Sequence, residues 1–186
     1  DMAVNIACPR EFDKWKLSVL NGFDTSFKVI SFTNMNRKIT EILNTKKRTI
    51  SAEIIPPRNG TETEKSFLQI QTLKDAKIDF ISVTKGAGGS LRGGTLPIAH
   101  MIQSQHHIPS VAHFTCRDHS IEEIENLLMD HHYFGVKNIL ALRGDPPDGQ
   151  PDYFKNEPGR HIFAYQLVKQ IHQLNKGEYL IRKGFD

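Results

Sequence analysis

Cysteine is nearly absent: Cys8 and Cys116 are the two in 186 residues, and they lie far apart in the chain. A disulfide-stapled secreted scaffold is thereby excluded, and a reducing compartment, the cytosol, is expected. Long apolar runs and a secretory leader are also missing, so the chain is read as cytoplasmic, with no membrane partner. In that setting the Asn59-Gly60-Thr61 sequon is accidental. Charge of one sign is not in excess either, since 24 Lys and Arg stand against 21 Asp and Glu, a net +3 with no long basic run. Nucleic acid is therefore not the expected partner, whereas phosphate-bearing small molecules stay open. Histidine is plentiful at nine residues, but His-Glu-x-x-His and Cys-x-x-Cys are lacking, and no metal is expected.

What is present suffices for one sizeable core, with 38% hydrophobic and 24% charged residues. Residues 1–34 stand apart from the rest. Phe12, Trp15, Val19 and Leu20 could line a helical face and residues 27–32 read as a short strand, but neither joins a repeating pattern. They are assigned to an N-terminal extension, and residues 35–186 to the domain proper. Met35-Asn36-Arg37-Lys38-Ile39 looks like a natural beginning, followed by a short basic amphipathic stretch through Lys47.

From Thr49 the chain becomes regular. Strands are expected at residues 49–54, 79–84, 108–115 and 138–142. Between them, Thr61 and Glu64 form a capping box before a helix with Phe67, Ile70, Leu73 and Ala76 on one face. Residues 95–105 form a second helix, with Pro97 tolerated in its first turn. Ser120 and Glu123 open a third, striped with Ile121, Ile124, Leu127 and Leu128, and Ala164, Leu167, Val168, Ile171 and Leu174 mark a last one. Each unit takes roughly 30 residues, the length of a parallel crossover. Four βα units therefore predict an α/β fold with a parallel sheet, either open and doubly wound or a (β/α)8 barrel. Polar residues recurring at the strand ends, Glu53, Thr84, His113 and Asp145, favour the barrel. A whole barrel takes about 250 residues, so half a barrel is expected, with its first and fourth strands unpaired at their edges.

The strand ends carry the chemistry. Ile139-Leu140-Ala141-Leu142 is an unalternating apolar run that stops at Arg143-Gly144-Asp145-Pro146-Pro147, releasing a cation and an anion where parallel sheets bind ligands. Gly144 would let a ligand approach the backbone. Glu53 stands among apolar neighbours, where desolvation would suit it to donate a proton. Pairing with Arg58 or Arg143 is the structural alternative. The stretch 85–94 is rich in glycine with Lys85 and Arg92, yet it has no Gly-Lys-Ser/Thr and lacks the third glycine of the dinucleotide fingerprint. His113, between Ala112 and Phe114, is either a hydrogen-bond donor to a ligand or a satisfied core histidine.

Taken together, Ser-Ala-Glu-Ile-Ile-Pro-Pro-Arg (51–58), Ser-Val-Thr-Lys-Gly-Ala (82–87), Ala-His-Phe-Thr-Cys (112–116) and Leu-Arg-Gly-Asp-Pro-Pro (142–147) resemble methylenetetrahydrofolate reductase, in the right order and spacing. The resemblance runs from about Met35 to the C-terminus. It implies a (β/α)8 barrel that binds FAD and uses NADH or NADPH to reduce 5,10-methylenetetrahydrofolate to 5-methyltetrahydrofolate, in one-carbon and methionine metabolism. Glu53 then matches the general acid that protonates the folate nitrogen and opens its ring to an iminium ion. Asp145 matches the aspartate beside flavin and pterin, in contact with the folate substrate. Arg143, Gly144, Ala87, His113 and Ala164 match flavin contacts, and Thr84 a residue near flavin and nicotinamide. Lys85 falls at a cofactor-binding position that, like Phe163, commonly holds tyrosine in the family.

The missing half implies that this chain alone binds FAD weakly or not at all, lacks much of the folate pocket needed for activity, and self-associates, with a homo-oligomer as one form. A non-catalytic half-barrel that assembles with a partner, or a barrel enzyme with a phosphorylated substrate, are the alternatives. Arg143-Gly144-Asp145 as an adhesion tripeptide would need an exposed loop of a secreted protein, which a strand end does not offer.

Overall fold

A computed structural model describes residues 37–57, 60–61, 63–86, 93–117, 119–147, 150 and 158–180, together with the backbone of residues 2–5. The helical face of Phe12 to Leu20 and the strand at 27–32 expected from the sequence lie outside these residues. In chain order the elements are β1 (Met2–Asn5), α1 (Ile39–Thr45), β2 (Ser51–Ile54), α2 (Thr63–Asp75) and β3 (Phe80–Val83), then α3 (Thr95–His106), β4 (Ser110–Thr115), α4 (Ile121–Tyr133), β5 (Asn138–Leu142) and α5 (Ala164–Asn175).

The sheet runs β1-β5-β4-β3-β2. Strands β2 to β5 are parallel, with Ile54 beside Val83, Val83 beside Ala112 and Ala112 beside Ile139. These are the four βα units that the sequence pattern predicts. The unpaired edge expected at residues 138–142 is corrected, because β1 pairs antiparallel with β5, Met2 opposite Ala141 and Asn5 opposite Asn138. A pairing between segments so distant in sequence has no local signature. The other outer parallel strand, β2, has β3 as its neighbour in the sheet.

Alternation along the strands sorts side chains onto two faces. Ile81, Val83, Ala112, Phe114, Ile139 and Ala141 join Ile70 of α2, Ile102 of α3, Leu128 of α4 and Ile171 of α5 in the main core. Phe80, Val111 and Leu140 point the other way and meet Ile39 and Ile42 of α1. The basic amphipathic stretch of the sequence thus supplies a short helix that covers this second face, the α1 face. Asn138 fastens it at the N-terminal ends of β4 and β5. Its Oδ1 accepts from Ile39 N at 3.1 Å, and its Nδ2 donates to Arg37 O at 3.1 Å and Ser110 O at 3.2 Å. Asp79 closes the same end by accepting from the Lys46 ammonium and from Ile50 N.

The helices follow their caps. Ser120 Oγ accepts from Glu123 N at 3.2 Å while Glu123 Oε2 accepts from Ser120 N at 2.7 Å, the reciprocal box expected there. Helix α3 runs through Pro97 in its first turn and ends at His107, whose left-handed backbone (φ 58°) lets its N–H return to Gln103 O. In α2 the expected face is rotated. Ser66 and Ile70 are buried and Leu73 packs on the core, while Phe67 is 41% exposed and Ala76 lies beyond the helix end. Because α2 begins at Thr63, its cap falls on residue 62 rather than Thr61, outside the described residues. No helix among the described residues is long and apolar enough to cross a membrane.

Candidate active site

The α1 face has a second end, at the C-terminal ends of the parallel strands. There Glu53 of β2 and His113 of β4 converge, with Glu53 Oε2 3.5 Å from His113 Nε2. Ser82 of β3, in register with Glu53, donates from its Oγ to the same carboxylate oxygen at 3.4 Å. The apolar setting expected for Glu53 is corrected. Its sequence neighbours Ala52 and Ile54 point to the opposite face, Ile54 into the main core, and the Glu53 side chain is 56% exposed. A contiguous apolar stretch is not an apolar environment when the strand alternates.

His113 is buried, and burial pushes its imidazole below the ordinary histidine range, against the opposing pull of the Glu53 charge. It is therefore neutral at neutral pH. Its Nε2 makes no hydrogen bond among the described residues, and neither does the buried Thr84 Oγ1 just after β3. The Thr84 backbone, by contrast, is fully engaged, its N–H donating to Ile54 O and its carbonyl accepting from Thr95 Oγ1. Two buried hydrogen-bonding atoms without a partner at a strand end are what a ligand would satisfy.

Lys85 is turned away from this pair. Its ammonium lies 3.0 Å from His119 Nε2 and 4.6 Å from the centre of the Phe114 ring, on the main-core side of the sheet. Alternation along the strand thus places its side chain on the face opposite Glu53 and His113. Ala87 lies outside the described residues. The glycine-rich stretch re-enters at Gly93, and at Gly94 (φ 93°) an added Cβ would come 3.2 Å from Pro56 Cβ, two residues past β2.

Arg143, Gly144 and Asp145 follow β5 directly, with Arg143 and Asp145 exposed. Gly144 has φ 89°, and a Cβ there would lie 2.9 Å from Arg117 Cβ and 3.4 Å from Thr115 Cβ. The close approach that needs glycine is thus made by Arg117, a protein neighbour that sequence reading passed over. The signal was present, a cation directly after the Thr115-Cys116 strand end, but nothing local set it apart from the other arginines. Next to it, burial pushes the Cys116 thiol up to about 11, which leaves it protonated and inert. Ala164 opens α5, where Gln166 Oε1 accepts from Ile162 N and Phe163 N. No group of three or more His, Cys, Asp or Glu among the described residues could hold a metal ion.

The family profile of methylenetetrahydrofolate reductase matches residues 38–182. The chain belongs to the methylenetetrahydrofolate reductase family. A maize protein named methylenetetrahydrofolate reductase (NADH) 1 is 34% identical over 142 residues, covering 76% of this chain and 24% of the relative. Methylenetetrahydrofolate reductase 1 of Schizosaccharomyces pombe is 35% identical over 136 residues, 73% of this chain and 22% of its own length. The Escherichia coli 5,10-methylenetetrahydrofolate reductase is 31% identical over 110 residues, 58% of this chain and 37% of its own. The chain therefore spans between about a fifth and two fifths of these relatives. Its four parallel βα units fit part of the family's (β/α)8 barrel.

Proposed function

We propose that this chain supplies the first four βα units of a cytoplasmic, flavin-dependent reductase that converts 5,10-methylenetetrahydrofolate to 5-methyltetrahydrofolate. The hydride source is NADH or NADPH, and the NADH in the maize and Arabidopsis relatives' names favours the former. The observation that carries the reading is the meeting of Glu53 and His113 at 3.5 Å on the open end of the α1 face, in a chain of this family.

The residues suit FAD. Thr84 Oγ1 and His113 Nε2 are buried without hydrogen-bond partners among the described residues, and the exposed Arg143 and Asp145 stand at a neighbouring strand end. When bound, FAD accepts a hydride from the nicotinamide and delivers it to the folate. Thr84 and His113 would then hold the flavin, and neutral His113 brings no cation to compete with Arg143. Glu53 would pass a proton to the folate nitrogen as its ring opens. A pterin seated against the sheet would cover this exposed carboxyl and exclude water from it. Asp145 presents a negative charge to the ring-opened cation.

Glu53→Gln, placed in the complete enzyme, tests this reading by stopped-flow. Flavin reduction by the nicotinamide should stay nearly unchanged, while folate reduction falls roughly 10²–10⁴-fold, the contribution of a general acid. Equal losses in both half-reactions would assign Glu53 a structural role instead.

A further inference from the structure

Resting on the reading of Asp145 above, we propose that Arg117 is the positioning residue that aims Asp145 at the reacting ring, gripping the turn through three successive residues. Its backbone N–H donates to Arg143 O at 3.1 Å, carrying the β4 and β5 pairing past the strand ends after Cys116 N to Leu142 O. Its stem occupies the space beside Gly144, where a Cβ would meet Arg117 Cβ at 2.9 Å and Cδ at 3.3 Å. Its Nη1 donates to Asp145 O at 2.6 Å. Arg117 is only 8% exposed, so this charge-assisted bond acts in a medium where it is strong.

The side chains that would do the chemistry, Arg143 and Asp145, are exposed. The direction of the Asp145 carboxylate is therefore set mainly by its backbone, and the backbone is fixed by Arg117. Glycine at 144 completes the device, because its positive φ and missing Cβ let the arginine stem close on the turn. Arg117 reaches a backbone carbonyl, so it acts through Asp145 and is no catalytic residue itself.

The test uses Arg117→Met, Arg117→Lys, Asp145→Asn and the double variant Arg117→Met/Asp145→Asn in the flavin-loaded complete enzyme. Misaiming a charged group costs on the order of tenfold or more, so Arg117→Met should slow folate reduction about tenfold, with flavin reduction by the nicotinamide much less affected. Arg117→Lys should recover part of that loss. In the Asp145→Asn background the Arg117→Met change should add little, because the two act as one unit. A second readout needs no flavin: in the 186-residue chain, Arg117→Met or Arg117→Lys should speed exchange of the backbone amide at position 117, which donates to Arg143 O across the turn. Equal slowing of both half-reactions, or additive losses in the double variant, would overturn the proposal and leave Asp145 standing. Unchanged exchange at that amide would also overturn it. If Asp145→Asn alone changes neither half-reaction, the role of Asp145 fails and the role of Arg117 falls with it. If Arg117→Met does not fold, Arg117→Lys carries the same comparisons.

Discussion

The two ends of the α1 face are built from the same strands and differ in what their polar groups do. At the N-terminal end Asn138 is buried and uses both its carbonyl and its amide, binding Ile39, Arg37 and Ser110. At the C-terminal end Thr84 Oγ1 and His113 Nε2 are buried with no hydrogen bond among the described residues, and Glu53 and Asp145 are exposed. Satisfied polar groups stabilise a fold, and unsatisfied ones cost it stability unless something else meets them. One end is closed for folding, and the other is the end where we propose that the flavin and folate bind.

Changing a charge at the open end should produce the largest effects. After Glu53→Gln, the next is Asp145→Asn, which keeps the shape and removes the anion. Folate turnover should fall by roughly 10²-fold, the order found for losing one electrostatic stabiliser, and the flavin reduction potential should rise. An unchanged potential would place Asp145 away from the flavin. At the closed end Asn138→Ala should act on stability instead, lowering the unfolding free energy by about 1–3 kcal/mol as its partners lose their bonds. Urea denaturation reads this, and a folded Asn138→Ala enzyme should keep its ratio of half-reaction rates.

Acid should expose a smaller difference. Burial lowers the imidazoles of His113, His131, His106 and His132 below the ordinary value of 6.5. The unfolded chain therefore takes up these protons first as pH falls through about 6.5, so stability is full above that value and declines below it. The urea midpoint should be lower at pH 5.5 than at 7.5. A flat profile would mean that the imidazoles are hydrated in the folded chain.

Much of this was legible in the sequence because it is local. The run 138–142 became β5 with the same bounds, and Ser120 capped α4 through Glu123 as its spacing required. Motif order led to the family, and the polar strand ends at Glu53 and His113 were visible, but their meeting at 3.5 Å was not, since Arg58 or Arg143 was the partner expected for Glu53. What was not legible depends on direction or on distance in the chain. Lys85 follows Thr84 and so points to the other face, Ala52 and Ile54 leave Glu53 without apolar cover, and the partners of Arg117 lie on the next strand's loop. The pairing of Met2–Asn5 with β5 is longer in range still.

The contrast between the two ends comes down to whether the unmet hydroxyl of Thr84 serves a ligand. Thr84→Val keeps the shape and removes only that group, so FAD titration of the complete enzyme by fluorescence quenching reads its use directly. Losing one hydrogen bond of roughly 0.5–1.5 kcal/mol should weaken FAD binding by up to about tenfold, while the unfolding free energy of the flavin-free protein stays the same or rises. Unchanged FAD affinity together with a loss of stability would contradict the account, since Thr84 would then belong to the fold and the open end would not be a flavin site.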